Sequence, residues 1–290
     1  MKTYSLSLEL ISQTITVIFS IITILISSNN SIFLLFVNTT NSNSILAYAQ
    51  EQSNIDQGQR VTFLTDDEVS IVGTYYIPAS GIDNSTPRVI LLHMLGSNRN
   101  TWNTLASTLS EKEGYAVLSI DLRGHGESIK QSDKTISYQS FTEEDFNKMV
   151  LDLKAAKQFL IGQKNANPNR IAIVGASIGA NVALNYAASD PTIKLLVLLS
   201  PGLNYRGVST SEAITKYKNP IYIVATEGDS ESAKDSQTLC NEINCDGNIN
   251  IYSGGSSSHG TNMLSDQSLN PPLQDSILSW LKSSFYSLSS

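Results

Sequence analysis

Ile171-Ala172-Ile173-Val174-Gly175-Ala176-Ser177-Ile178-Gly179 is the stretch on which the fold turns. Four β-type residues run into a serine that carries glycine two places before and two places after it, and a helix-forming run, residues 178–188, follows at once. The pattern predicts a buried strand, a sharp turn and a helix. Glycines at that spacing keep Cβ atoms out of a crowded corner, so the hydroxyl stands clear at the helix N-terminus. A plain glycine-rich connection is the competing reading. A serine hydroxyl is a poor nucleophile until a base takes its proton, so the sharper reading demands a histidine.

The chain has three histidines. In strand-turn-helix sheets of this kind the chain order is serine, then acid, then base, which leaves His259, in the polar loop Gly254-Gly255-Ser256-Ser257-Ser258-His259-Gly260. His93, at a strand end, is expected to brace the loop after it, and His125 lies in a glycine-rich turn. A carboxylate must fix the imidazole tautomer, and it belongs on a loop after a strand between serine and histidine. Asp229, in Thr226-Glu227-Gly228-Asp229, meets that condition. Glu227 is its nearest competitor, Asp235 falls inside the next helix, and Asp190, before Pro191, reads as a turn residue. Two N–H donors are needed for a developing oxyanion. The backbone amide of Ile178 follows from the turn itself, and the second is assigned to Leu95, in His93-Met94-Leu95-Gly96, with Met94 as the alternative.

Outward from this turn, residues 61–64 and 70–77 read as an antiparallel hairpin. Residues 89–92, 115–120, 195–199, 221–225 and 250–252 then join 171–174 as short Val/Ile/Leu-rich strands of the doubly buried kind. Helices are predicted over 102–110, 143–161, 178–188, 233–241 and 273–286. The second has Thr142 as its cap and Glu143, Glu144 and Asp145 in its first turn. Alternation of this kind gives an α/β fold: a mostly parallel, doubly wound sheet of about eight strands with helices on both faces. Residues 200–219, between two consecutive strands, leave no room for a large lid.

With 290 residues, 41% hydrophobic and 16% charged, one domain can bury a full core. The net charge of −7 and the absence of a Lys/Arg run exclude a nucleic-acid surface. Residues 10–50 carry no charged side chain, and Ala47-Tyr48-Ala49 offers a small-x-small cleavage pattern. Residues 1–49 are therefore expected to be a signal peptide or an N-terminal membrane anchor, with 50–59 a linker and 60–290 the folded domain. Export is the expectation, and contact with a membrane is expected only through that apolar segment. Cys240 and Cys245, five positions apart, are either a small disulfide loop or two reduced thiols.

Gly175-Ala176-Ser177-Ile178-Gly179, the His93 loop, Asp121-Leu122-Arg123-Gly124-His125-Gly126-Glu127-Ser128, Asp229 and His259 resemble, in type and order, a serine α/β-hydrolase of the small dienelactone-hydrolase-like or carboxylesterase-like kind. The resemblance covers about residues 60 to 288. Dienelactone hydrolases use a cysteine where this chain has Ser177, so their substrate does not carry over, and Asp121 and Arg123 read as structural. The implied activity is cleavage of small-molecule carboxylic esters through an acyl-enzyme, with no metal or organic cofactor required. A peptidase or amidase, an acyltransferase, and a non-catalytic binding protein on the same scaffold are the alternatives. Leu203, Tyr205, Met94 and Met263 are expected either to edge an open site or to be ordinary packing residues.

Overall fold

The computed structural model describes residues 21–28, 31–38, 58–245, 247–254 and 256–288. Two units divide the chain, residues 1–54 and 55–290. In the first, β1 (Ile21–Ser28) pairs antiparallel with β2 (Ser31–Asn38), Ile21 opposite Asn38 and Ser28 opposite Ser31. The expected cleavage near Ala49 lies outside the described residues, among which no helix is long and apolar enough to cross a membrane.

The second unit is built on one mixed sheet. Its strands are β3 (Gln59–Leu64), β4 (Val69–Tyr76), β5 (Arg88–Leu92), β6 (Ala116–Ile120), β9 (Ile171–Ala176), β10 (Ile193–Leu199), β13 (Ile221–Thr226) and β14 (Ile249–Tyr252), in the order β14-β13-β10-β9-β5-β6-β4-β3. From β14 to β6 every pairing is parallel, while β4 is antiparallel to both β6 and β3. A two-residue hairpin, β7 (Lys130–Gln131) and β8 (Lys134–Thr135), extends the sheet to ten strands.

Side chains alternate across each strand, and both faces are covered. Ile90, Leu92, Ile173, Leu198 and Ile223 face one layer, which includes residues of α3 (Met149–Ile161), α4 (Ile178–Ser189) and α6 (Ser230–Ile243). Val89, Leu91, Val174, Val197 and Val224 face the other, with α1 (Asn103–Glu113) and α7 (Leu273–Ser287). All ten side chains are 0% exposed. Their strands consequently read as unbroken apolar runs rather than as alternating ones.

One expected helix is split. Residues 143–161 form α2 (Glu143–Asn147) and α3, parted at Lys148. Thr142 makes a capping box with Asp145, as the sequence pattern required. At the break the Leu151 N–H turns to the Lys148 carbonyl, 2.9 Å, and the Asn147 amide bonds both the Glu143 carbonyl and the Gly207 carbonyl across the molecule. The tight turn lets Phe146, Met149 and Leu153 all reach one core. Cys240 and Cys245 form a disulfide that closes the C-terminal end of α6.

Candidate active site

Ser177 sits between β9 and α4 with φ 55° and ψ −122°, a strained conformation for a residue with a side chain. The glycines around it are dictated by contact. A Cβ on Gly175 would lie 2.4 Å from the Gly179 carbonyl oxygen, and one on Gly179 would lie 2.5 Å from the His93 carbonyl oxygen. The Ser177 amide donates to the Leu199 carbonyl of the neighbouring strand, 2.8 Å, which registers the turn against β10. Ser177 keeps 8% exposure.

His259 lies beyond β14 and Asp229 in the turn after β13, and the structure brings them together: His259 Nδ1 is 2.6 Å from Asp229 Oδ2. A carboxylate only accepts, so Nδ1 carries the proton and Nε2 is left as the basic nitrogen. Glu227, the competitor, is exposed, and Asp235 accepts from the Leu203 amide at 2.8 Å. Asp190 takes bonds from Tyr186, Lys157 and Thr192 at a helix end. The His259 loop runs beside the serine turn: a Cβ on Gly260 would meet Ala176 Cβ at 3.5 Å and Met94 Sδ at 3.1 Å. No hydrogen bond among the described residues joins the Ser177 hydroxyl to the imidazole, and such bonds often tighten only around substrate.

On the other side of Ser177, the chain leaving β5 turns through His93-Met94-Leu95-Gly96, closed by a Ser97 N–H to Met94 carbonyl bond of 3.1 Å with Gly96 at φ 73°. Leu95 is half-buried, and its amide makes no bond within the described residues. The Ile178 amide, first in its helix, has no intrahelical acceptor. His93 braces this loop. Its Nδ1–H donates to the Met94 carbonyl at 2.8 Å, and its Nε2 accepts the Leu122 N–H at 3.0 Å. Burial, helped by the nearby His125 ring, pushes its pKa down to about 3. His125 stacks on Tyr138 with ring centres 4.1 Å apart.

Asp121 and Arg123 are structural. Asp121 pairs with Arg99 and accepts the Arg99 and Glu127 amides, 2.7 and 2.8 Å, while Arg123 bridges Asp152 and Asp67. Of the residues expected to edge the site, Met94, Leu203 and Tyr205 are partly exposed. Met263 is the packing residue among them: at 0% exposure it belongs to the same buried cluster as Leu269 and Ile277.

Sequence reasoning passed over the residues that hold the His259 loop. The Asp266 carboxylate accepts from the hydroxyls of Ser256 and Ser258, and those bonds hold it well below the usual range. Thr226 Oγ1 donates to the Ser258 carbonyl at 3.0 Å, and the Gly260 amide donates to Ser200 Oγ at 3.0 Å. Ser232, 1% exposed, places Oγ 3.3 Å from His259 Nδ1. The signal available was its place three residues after Asp229 in the first turn of α6. Among the described residues no cluster of His, Cys, Asp and Glu can hold a metal ion.

A family profile described as serine aminopeptidase S33 matches residues 83–223, taking in the His93 loop and Ser177 but stopping short of Asp229 and His259. An esterase of Mycobacterium tuberculosis is 32% identical over 126 residues, 43% of this chain and 36% of that protein. The quorum-quenching protein AidA of Acinetobacter baumannii is 28% identical over 169 residues, 58% of this chain and 50% of that one. The chain spans between a third and a half of the length of the curated relatives it matches. Among solved structures, the Pyrococcus furiosus esterase Pf2001 superposes with a TM-score of 0.62 at 21% identity, over 81% of this chain and 94% of that one. At that identity the likeness concerns the fold.

Proposed function

We propose that the chain is a serine hydrolase on an α/β-hydrolase fold, cleaving small-molecule carboxylic esters through Ser177, His259 and Asp229. The observation that carries the reading is the 2.6 Å His259–Asp229 pair, on a loop whose Gly260 packs beside the strained Ser177 turn. His259 Nε2 takes the Ser177 proton as Oγ attacks the acyl carbon, and the Ile178 and Leu95 amides receive the oxyanion. Collapse expels the alcohol, which leaves with the proton from His259. Water then gives a proton to the same nitrogen and attacks the acyl-enzyme, releasing the acid and restoring Ser177.

The short insert after β10 favours an open site. It holds a hairpin, β11 (Asn204–Tyr205) and β12 (Val208–Ser209), and one helical stretch, α5 (Ser211–Lys216). Asn181 of α4 fastens it to the main body, its side-chain amide donating to the Val208 carbonyl at 2.8 Å and its Oδ1 accepting the Gly202 N–H at 3.1 Å. An open rim of this size suits short or medium acyl groups. A peptidase is the second reading, favoured by the aminopeptidase profile. Turnover of an aminoacyl anilide without turnover of simple esters would select it.

A fluorophosphonate probe is expected to modify Ser177, located by mass spectrometry, and to fail on the His259→Ala variant. Ser177→Ala is expected to lower ester turnover by about 10⁴ to 10⁶, leaving what the oxyanion site supplies. Retained turnover would refute the assignment. Export also belongs to this reading, supported by the uncharged stretch 10–50 and by the Cys240–Cys245 disulfide, a bond that persists in oxidising compartments.

A further inference from the structure

The His259 ring has a second neighbour behind Asp229. Ser232 Oγ lies 3.3 Å from Nδ1, and Tyr205 Oη lies 3.0 Å from Ser232 Oγ and 3.4 Å from the Ser200 carbonyl. The direction of every proton in this chain is fixed by its ends. Asp229 accepts at Nδ1, so Nδ1 is a donor and Ser232 Oγ can only receive from it. At the far end a carbonyl only accepts, so the Tyr205 hydroxyl donates to Ser200, and the Ser232 hydroxyl proton is directed to Tyr205 Oη. Burial raises the Tyr205 phenol above its ordinary range, which keeps it a donor.

We propose that Ser232, oriented by Tyr205, is a positioning residue for the base: it gives the His259 Nδ1–H a second acceptor and holds the imidazole aimed at Ser177. This inference rests on the triad reading above. Three features of the fold support it. Ser232 is 1% exposed, so its oxygen exchanges no bond with bulk water. Tyr205 is held in place, since its ring lies so close over Gly202 that a Cβ there would approach it to 2.5 Å, and it stands edge-on to the imidazole with centres 6.2 Å apart. The hairpin turns through Arg206 and Gly207, both at positive φ, the tight type that fixes strand register.

The chain also ends where the nucleophile begins. Ser200 Oγ accepts the Gly260 amide at 3.0 Å, and the Leu199 carbonyl, one residue earlier, accepts the Ser177 amide at 2.8 Å. A single corner at the end of β10 therefore registers serine and base together. Asp229 fixes which nitrogen carries the proton. Ser232 limits the swing of the ring as charge builds on it, a demand that is greatest in the transition state.

The test is a double-mutant comparison with ester kinetics, on variants whose melting temperatures match the wild type. Ser232→Ala is expected to lower kcat about 3- to 10-fold with KM unchanged, the size of one neutral hydrogen bond. Tyr205→Phe is expected to follow in the same sense with a smaller factor, and Ser232→Thr, which keeps the hydroxyl, to restore most of the rate. In the Asp229→Ala background, where Ser232 is the one remaining acceptor, removing it is expected to cost a clearly larger factor than it does in the wild type. Equal factors in both backgrounds, or a rise in KM with kcat intact, would overturn the proposal. The His259 ring-proton NMR signal, read without substrate, is expected to move in Ser232→Ala; an unmoved signal also counts against it. Wild-type protein that fails to label with fluorophosphonate sinks the triad instead, and the ring-proton signal tells that failure apart.

Discussion

Two histidines stand in loops that follow parallel strands of the same mixed sheet, and they differ in burial and in what occupies their second ring nitrogen. His93 is 0% exposed, and both its nitrogens are taken by backbone groups, the Met94 carbonyl and the Leu122 amide. The His259 side chain is 33% exposed, with a carboxylate behind one nitrogen and the other uncommitted within the described residues. A ring bound on both sides by main chain holds a loop in shape. One with a basic nitrogen facing outward and a carboxylate at its back is equipped to move a proton. The loops differ too: a backbone bond closes the His93 turn, whereas side chains of Asp266, Thr226 and Ser200, with one backbone bond from Gly228, hold the His259 loop.

The largest effect that separates them is on turnover. His259→Ala is expected to lower kcat by about 10⁴ or more while the melting temperature stays close to the wild type, because the ring is part-exposed rather than packed in the core. His93→Gln is expected to do the reverse, with lowered stability and a much smaller loss of rate. If the two variants lost rate equally, the division between them would fail.

Acid provides the second separation. In the fold His93 titrates near 3, against an ordinary value near 6.5, because burial disfavours the imidazolium. The unfolded chain takes up a proton below 6.5 that the fold refuses until near 3. The contribution is therefore complete above pH 6.5 and is lost as the pH falls from there towards 3, by up to about 1.4 kcal/mol per pH unit. Carboxylates add their own slope, so the useful quantity is the difference between proteins. Denaturant unfolding at pH 7, 6 and 5 is expected to show wild-type stability falling more steeply than that of His93→Gln, and parallel curves would show that the His93 ring takes up its proton at the same pH in the fold as in the unfolded chain.

How much of this could be read beforehand depends on whether a residue type has one use or many. The Ser177 turn was legible because glycines at 175 and 179 answer a backbone demand that no other residue meets. His259 followed from chain order among three histidines, and Asp229 from its place after a strand. The break at Lys148 was not legible, since the apolar stripe from Phe146 to Leu160 continues across it. Met263 could not be assigned from sequence because an apolar side chain reads alike whether it lines a site or fills a core. Ser232, Ser200 and Asp266 act through partners distant in sequence, and serine is too common in this chain for any one to stand out.

The smallest of the three effects asks whether the base loop needs its side-chain staples at all. Asp266 accepts from Ser256 and Ser258, which flank the bend that delivers His259, and from the Ser268 hydroxyl and amide on its own far side. Both ends of the bend are also held elsewhere. The Gly228 amide donates to the Ser256 carbonyl at 2.9 Å, so closely that a Cβ on Gly228 would sit 2.2 Å from that oxygen, and the Gly260 amide reaches Ser200. Asp266→Ala therefore removes the middle staple and leaves the outer two. The imidazole keeps Asp229 but samples more orientations, so kcat is expected to fall only about 2- to 5-fold, with KM unchanged. Amide hydrogen exchange over 256–260 is expected to quicken while exchange in β9 and β10 stays as it was. The His93 loop, fastened by main chain on the other side of Ser177, supplies the control: if its amides quickened too, the two loops would be one cooperative unit and the contrast between them would dissolve.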